Sequence, residues 1–356
     1  MKTIISRPDP TVILGVDTHA DTHTAVVIDG QGRLLDESTF TTTLDGYGAL
    51  HAWACEHGTI IGAGVECTGT YGAGLARYLS AAGISVTEVN QPHAHTRAHI
   101  GKNDAIDAEA AARKVLSGQA RASAKDTTGI IEAIRNINVV RSSAVKSRTQ
   151  ALAQIRDLLV TAPAHLRARF TAPTLPGKAI QALALRPNQA RLADPAEAAK
   201  YALRSAGRRI RNLTEEITDL TAELSRLTKM IAPTLLALPQ IGPVSAAQLL
   251  ITTGQNPHRV HSEAAFARLT GTAPIPVASG KTNRMRLHRG GDRQANRTIH
   301  LIAVGRLHTD QRSQKLRDDK IAHGKSKMDA IRCLKRYIAR EIYYALKTDL
   351  HKFDKL

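Results

Sequence analysis

Four carboxylates sit where the chain changes character, and their placing suits divalent-metal chemistry. Asp17 follows the apolar, β-branched run Val12–Val16, and Glu66 closes the short run IIGAGVE. Asp104 and Asp107 stand three apart in NDAIDAEAAARKVL and so share one face of a helix. An acid at the end of an apolar strand is costly to bury unless it is paired or holds a cation. Bare carboxylates brought close repel and raise one another's pKa. Two divalent cations relieve that repulsion, and Mg2+ favours such hard oxygen ligands. Taken alone, Asp104 and Asp107 have a plainer role, offsetting the dipole at a helix N-terminus.

A hydroxyl among cations is the second candidate. Ser279–Gly280 lies in TAPIPVASGKTNRMRLHRGGDRQANR, which reads as a loop too rich in Gly and Pro for core. Lys281, Arg284, Arg286 and Arg289 follow it. Cations beside a serine suit attack on a phosphodiester, because they stabilise charge on the transferring phosphoryl group. An isolated Ser-Gly pair says little by itself. Two further stretches carry less. VECTGTYGAG is glycine-rich after a strand and could cradle a phosphate, but it lacks the P-loop lysine. His93, His95 and His99 could bind zinc, yet no cysteine or fourth ligand is suitably spaced. Solvent or a nucleic-acid backbone suits these histidines better.

The elements that must position these groups follow from the patterning. TVILGVDTHADTHTAVVIDG is two β-rich runs around a tight polar turn, a hairpin over Thr11–Gly30. Gly32–Thr43 reads as a third strand, Leu44–His57 as a helix and Ile60–Glu66 as a buried strand. Tyr71–Ala82 reads as a helix, Ile84–Asn90 as a strand, and Asn103–Leu116 as a helix with Asn103 as N-cap and Gly118 as stop. That order suits a mixed sheet with helices packed on it. From Ile130 to Ile231 the pattern turns to long helices, interrupted by a proline-rich connection from Pro163 to Pro195. Leu203, Ala206, Ile210, Leu213, Ile217, Leu220, Leu224, Leu227 and Ile231 alternate steps of three and four, as in a coiled coil. Its partner is either the first arm or a second protomer. Leu238–Leu250 (LPQIGPVSAAQLL) resembles a helix-hairpin-helix turn, with Gln240 where that motif has glycine, or is an ordinary helix–helix turn. Asp292–His308 and Ser326–Leu346 read as closing helices.

Charge divides the chain in the same way. Thr11–Ser117 holds twelve acids against six Lys/Arg, a net of −6, and residues 1–10 add +1. Residues 118–356 therefore carry +23 of a total of +18. A basic body joined to an acidic head points to a polyanion held by one and metal-assisted chemistry in the other, with nucleic acid the favoured partner. Three isolated cysteines in no CxxC spacing predict a reduced, cytoplasmic setting. No run reaches the roughly 18 apolar residues of a membrane span, and Met1–Asp9 lacks the apolar core of a signal peptide.

The hairpin with its Asp, the VECTGTYG segment and the KNDAIDA helix together resemble the RuvC-like, RNase H-fold domain of the DEDD insertion-sequence transposases. That family is related to pilin-gene invertases, and some members are guided by a bridge RNA. The resemblance implies an α/β RNase H-like domain over 11–118, coiled-coil arms over 126–232 and a mainly α C-terminal transposase domain over 233–350. It implies metal-binding, catalytic roles for Asp17, Glu66, Asp104 and Asp107, and a catalytic serine at Ser279 in the matching xSG loop. Lys281, Arg284, Arg286 and Arg289 would then bind nucleic acid. Mg2+, donor and target DNA, a guide RNA and a dimer or tetramer are implied with it. Only 12 of 356 residues are aromatic, so base stacking offers little sequence readout, which fits target choice by a guide. Two rivals stand beside this reading: a resolvase-like Mg2+ nuclease in which water attacks, and a non-catalytic nucleic-acid-binding protein.

Overall fold

The computed structural model describes residues 10–89, 103–120, 124–256, 259–280 and 282–353. It divides into two compact units. The first comprises residues up to Gly129 together with Thr253–His261, and the second Ile130–Thr252 with Ser262–Leu356. No helix among the described residues is long and apolar enough to cross a membrane.

The first unit is a five-stranded mixed sheet with helices on it. Its elements run β1 (Thr11–Thr18), β2 (Thr22–Asp29), β3 (Leu34–Thr41), α1 (Leu44–Glu56), β4 (Thr59–Glu66), α2 (Ala73–Ala81), β5 (Val86–Val89) and α3 (Asp104–Leu116). The strand order is β3-β2-β1-β4-β5. β1–β2–β3 form an antiparallel meander, while β4 pairs parallel with both β1 and β5. β1 is central and buried throughout after Thr11, because its side chains meet helices on both faces. Val12, Leu14 and Val16 join Leu50 of α1 with Leu75 and Leu79 of α2 in one core. Ile13 packs with Ala108 and Ala112 of α3 on the other face. Thr43 and Asn103 cap α1 and α3, each side-chain oxygen accepting a backbone N–H of the first turn.

His23 on β2 is fully buried and stacks on Tyr47 of α1, with ring centroids 5.7 Å apart and planes 8° from parallel. Burial holds its pKa below the ordinary 6.5, and the nearby His19 pushes the same way. Below the ordinary value the unfolded chain takes up a proton that the folded imidazole refuses. Stability therefore falls as the pH drops through that value, and levels off below the folded pKa. Thermal melts between about pH 7.5 and about pH 5.5 should show His23→Phe losing less stability than wild type. An identical loss in both would remove His23 as the cause.

The second unit is mostly helical. It runs α4 (Ile130–Thr161), α5 (Ala164–Arg167), α6 (Leu175–Leu183), a 3-10 turn (Gln189–Arg191), α7 (Pro195–Ile231), α8 (Pro233–Leu236) and α9 (Pro243–Thr253). Then come α10 (Glu263–Leu269), β6 (Pro274–Ser279), β7 (Thr282–Leu287), α11 (Arg293–Thr309), α12 (Gln311–Ala322) and α13 (Lys327–Phe353). The coiled arm pairs with the first arm of the same chain: Ala151, Ile155 and Leu159 of α4 form one core with Leu203, Ala206 and Ile210 of α7. Arg141 adds a 2.7 Å hydrogen bond from its Nε to Thr221 Oγ1. One row of the α7 repeat, Leu203, Ile210, Ile217, Leu224 and Ile231, is buried, while Leu213, Leu220 and Leu227 are only half-buried.

Past α7 the chain is fastened from α13. The buried Asp349 carboxylate accepts the N–H groups of Thr234 (3.0 Å) and Leu235 (2.9 Å), filling the N-terminus of α8. In the turn before α9, Gln240 has φ +63°, the left-handed backbone that glycine supplies in the motif this stretch resembles. Its amide is held by Thr309 Oγ1 at 3.1 Å. The Ser279 stretch differs from expectation. It is an antiparallel β6–β7 hairpin, with Ser279 paired to Thr282, and not a loop. Gly280 in that turn has φ +54°, which a tight hairpin requires.

Candidate active site

Glycines set the geometry of the acid cluster. β1 and β4 lie side by side with Val16 opposite Val65, so Asp17 and Glu66 occupy neighbouring strand positions. Side chains alternate along a strand. Ile13 faces α3, and so do Gly15 and Asp17; on β4 the same face takes Gly62, Gly64 and Glu66. A Cβ on Gly15 would strike the Ala108 carbonyl, and one on Gly64 would strike that of Ala111. The helix therefore lies directly on the two strands. Gly62 meets Val115 and Gly64 meets Ala111. One further step, two residues along β4 and four back along α3, brings Glu66 level with Asp107. Two strand residues advance about 6.6 Å and four helical residues about 6 Å, so the tracks keep step.

Where the glycines end, the carboxylates begin. Asp17, Glu66 and Asp107 are buried, and Asp104 is partly exposed on the first turn of α3. His19 joins them. Its Nε2 lies 3.3 Å from Asp17 Oδ2 and 3.1 Å from Asp104 Oδ2, and ligand atoms of these three residues fall within 4.8 Å of one another. Burial pushes the Asp17 carboxyl above the usual carboxylate range; His19 opposes this, while Asp104 and Asp107 reinforce it. A carboxylate whose charge is disfavoured by two others is relieved by a cation. The donor set, hard oxygens with one imidazole, fits a divalent metal ion.

Glu66 is fixed by the turn after it. Cys67 has φ +51°, and its carbonyl accepts the N–H groups of Thr70 (2.8 Å) and Gly72 (3.2 Å). Thr18 Oγ1 donates to the Glu66 carbonyl at 3.1 Å, tying the ends of β1 and β4 together. The glycine-rich VECTGTYG segment thus spends these N–H groups on its own turn instead of offering them to a phosphate. Burial raises the Cys67 thiol, and Glu66 and Asp17 add to it, so it is a poor nucleophile.

Ser279 lies exposed at the tip of the β6–β7 hairpin in the second unit. Arg284 pairs in register with Val277, and the exposed Arg286 with Ile275. Arg289 is exposed just beyond β7. Lys281, and likewise His93, His95 and His99, lie outside the described residues. His19 is the site residue that the sequence reading passed over as part of a polar turn. Its signal was the i,i+2 spacing from Asp17 at a strand end, which returns a side chain to the same face.

Comparison with known families finds two matches along the chain. Residues 14–162 match a family model of the transposase domain of the DEDD, IS110 type. Residues 232–317 match the model described as transposase, IS116/IS110/IS902 family. The chain is also similar to the insertion element IS900 uncharacterized 42 kDa protein of Mycobacterium paratuberculosis, 28% identical over 137 residues. That alignment covers 36% of this chain and 34% of the relative, about a third of its length. The chain thus carries, in this order, two stretches similar to IS110-type transposase domains.

Proposed function

We propose that the protein is a DNA transposase of RNase H-like, DEDD type that cuts and rejoins strands through a covalent serine intermediate. The observation that carries the reading is the meeting of Asp17, His19 and Asp104 beside the buried Asp107 and Glu66, inside the stretch matched to the DEDD transposase domain. The strand order β3-β2-β1-β4-β5 is consistent with an RNase H-like fold. Asp17, Glu66, Asp104 and Asp107 would hold Mg2+, with His19 closing the cluster. Bound there, the ion would neutralise the scissile phosphate and lower the pKa of the attacking hydroxyl.

The chain's own part in the reaction is the nucleophile and its surroundings. Ser279 Oγ forms a bond to phosphorus, the bridging bond to the departing strand end breaks, and that strand leaves with the proton. The phosphoserine conserves the bond energy for rejoining. Arg286 and Arg289, with Lys281 and Arg284, offset the phosphate charge. The half-buried Leu213, Leu220 and Leu227 row on α7 supports assembly with a second copy. The low aromatic content supports target choice by a guide RNA.

The test is strand transfer by the full chain. A plasmid bearing the element's ends, a target duplex, Mg2+ and RNA transcribed from the element's flanks should yield joined product. No joined product with any divalent cation would overturn the transposase reading, and joining without RNA would remove the guide.

A further inference from the structure

The first two turns of α11 are built against their own stability. Arg293, Asn296, Arg297 and His300 fall at i, i+3, i+4 and i+7, so they share one face, while Ala295, Ile299 and Ile302 bury the other. Like charges four apart on a helix repel. Cations in the first turns also oppose the helix dipole. Among the described residues, neither arginine forms an ion pair with a carboxylate, although Arg226, Arg306, Arg332 and Arg336 elsewhere in this unit do.

That face lines a cavity of about 450 Å3, joined by His288 and Arg289 from the loop after β7. Its wall is glycine backbone. Gly291 has φ +107° and Gly271 φ +64°, and a Cβ on Gly291 would strike the Arg268 carbonyl and Gly271 N. Among the described residues Asp292 is the single acid lining the cavity, and its carboxylate is spent on the Gln294 and Ala295 N–H groups and on Thr252 Oγ1.

A buried cation stands behind this wall. Lys335 of α13 is 7% exposed and donates from Nζ to Asn296 Oδ1 at 2.6 Å. Asn296 Nδ2 in turn donates to the carbonyls of Thr270 and Gly271, which fixes the amide's orientation. Among the described residues Lys335 has no carboxylate partner. Burial pushes its pKa down to about 8, which leaves it largely charged at neutral pH. Three exposed arginines and two histidines thus line one concavity, and a buried lysine is bonded to Asn296 of its wall. Among the described residues no carboxylate offsets these arginines, which leaves them open to an anion.

We infer that this cavity seats a backbone phosphate of duplex DNA, with Arg293 and Arg297 as its principal contacts and Arg289 at its rim. The inference rests on the reading that the chain acts on DNA. It names a further grip of the second unit on that DNA, one that shares Arg289 with the cations assigned to the serine. Guanidinium forks suit phosphate oxygens, and the spread of cations from 289 to 297 suits a polyanion better than a small free anion.

The test measures binding of the full chain to a labelled random-sequence duplex, without divalent metal and across a salt series. Arg293→Gln/Arg297→Gln should weaken binding about tenfold or more and lower the slope of log affinity against log salt by about 1, since one neutralised phosphate contributes roughly 0.9. Its melting temperature should stay level or rise, because a helix-terminal repulsion is removed; this separates lost contact from misfolding. Arg167→Gln/Arg169→Gln removes the same charge from exposed positions on and beside α5 and should change affinity less than about twofold. Equal losses in the two double variants, or none in the first, would overturn the pocket. So would a loss seen with single-stranded RNA but not with the duplex, or inorganic phosphate binding that depends on the two arginines while the double variant keeps wild-type duplex affinity. The assay reads no cleavage. A chain that failed strand transfer but showed the Arg293/Arg297 loss would keep the pocket and lose the transposase reading.

Discussion

Asp17→Asn should abolish strand cleavage while making the metal-free protein more heat-stable. Both effects follow from one side chain. Its carboxyl is pushed up chiefly by burial, and Asp104 and Asp107 add to this against the opposing pull of His19. Ionised Asp17 is therefore disfavoured in the folded, metal-free protein. Asparagine keeps the shape and removes the charge, so the melting temperature without metal should rise. The same charge is what a divalent ion would bind. Wild-type stability should climb with Mg2+ concentration, because a ligand held only by the folded state adds to its stability, and the variant should lose that dependence. Cleavage should drop by about three orders of magnitude or more, comparable to removing one preorganised group that stabilises transition-state charge. Duplex affinity should be nearly unchanged, because the cations lie elsewhere. Full cleavage by Asp17→Asn in Mg2+ would sink the metal assignment, and a lowered metal-free melting temperature would sink the electrostatic account.

The carboxylates were legible because strands and helices print their periods on the sequence. Asp17 and Glu66 follow short β-branched or glycine-bearing runs, and Asp104 and Asp107 follow a capping Asn. Those local signals place each acid at an element's end. That they lie on one face depends on Gly15, Gly62 and Gly64, whose missing side chains let α3 down onto β1 and β4. Nothing local distinguishes a glycine that admits a helix from one that merely weakens a strand.

Long-range fastenings left no trace at all. Asn256 accepts the Asp126 N–H and donates to the Ala124 carbonyl, and Arg259 lies 3.8 Å from Glu88. These contacts carry 253–261 into the first unit, from a stretch that reads as part of the basic C-terminal body. The pairing of α7 was open for a related reason. A heptad repeat specifies a seam but not whose helix fills it, and the answer depended on the connection from 162 to 194 folding α4 back. The β6–β7 hairpin was hidden because its first strand, Pro274–Ser279, carries two prolines and is nowhere fully buried. Proline and glycine are loop signals, and they outweighed the alternation in Arg284–Leu287.

Ser279→Ala should eliminate covalent capture of DNA with no change in stability. Ser279 is exposed at a hairpin tip, so losing its hydroxyl opens no cavity and strands no buried partner; the melting temperature should move by less than about 1 °C. The Gly280 turn and the Ser279–Thr282 pairing are backbone features that alanine preserves. Chemistry is the one thing the substitution removes. Wild-type protein incubated with Mg2+ and a substrate carrying the element's end should give a band that survives denaturation and migrates as protein plus DNA strand. Ser279→Ala should give none, and Asp17→Asn should give none either, because in the proposed reaction the hydroxyl, with no histidine–aspartate pair beside it in sequence, takes its activation from the metal-binding acids. Ser279→Cys separates attack from mere phosphate binding. A thiol of similar size keeps the position but forms a thiophosphate ester, and its adduct should be cleaved by silver ions where the serine adduct is not. Cutting by Ser279→Ala at the wild-type rate, without adduct in either protein, would make water the nucleophile. The acids would then serve a resolvase-like nuclease, with the hairpin left to hold the phosphate.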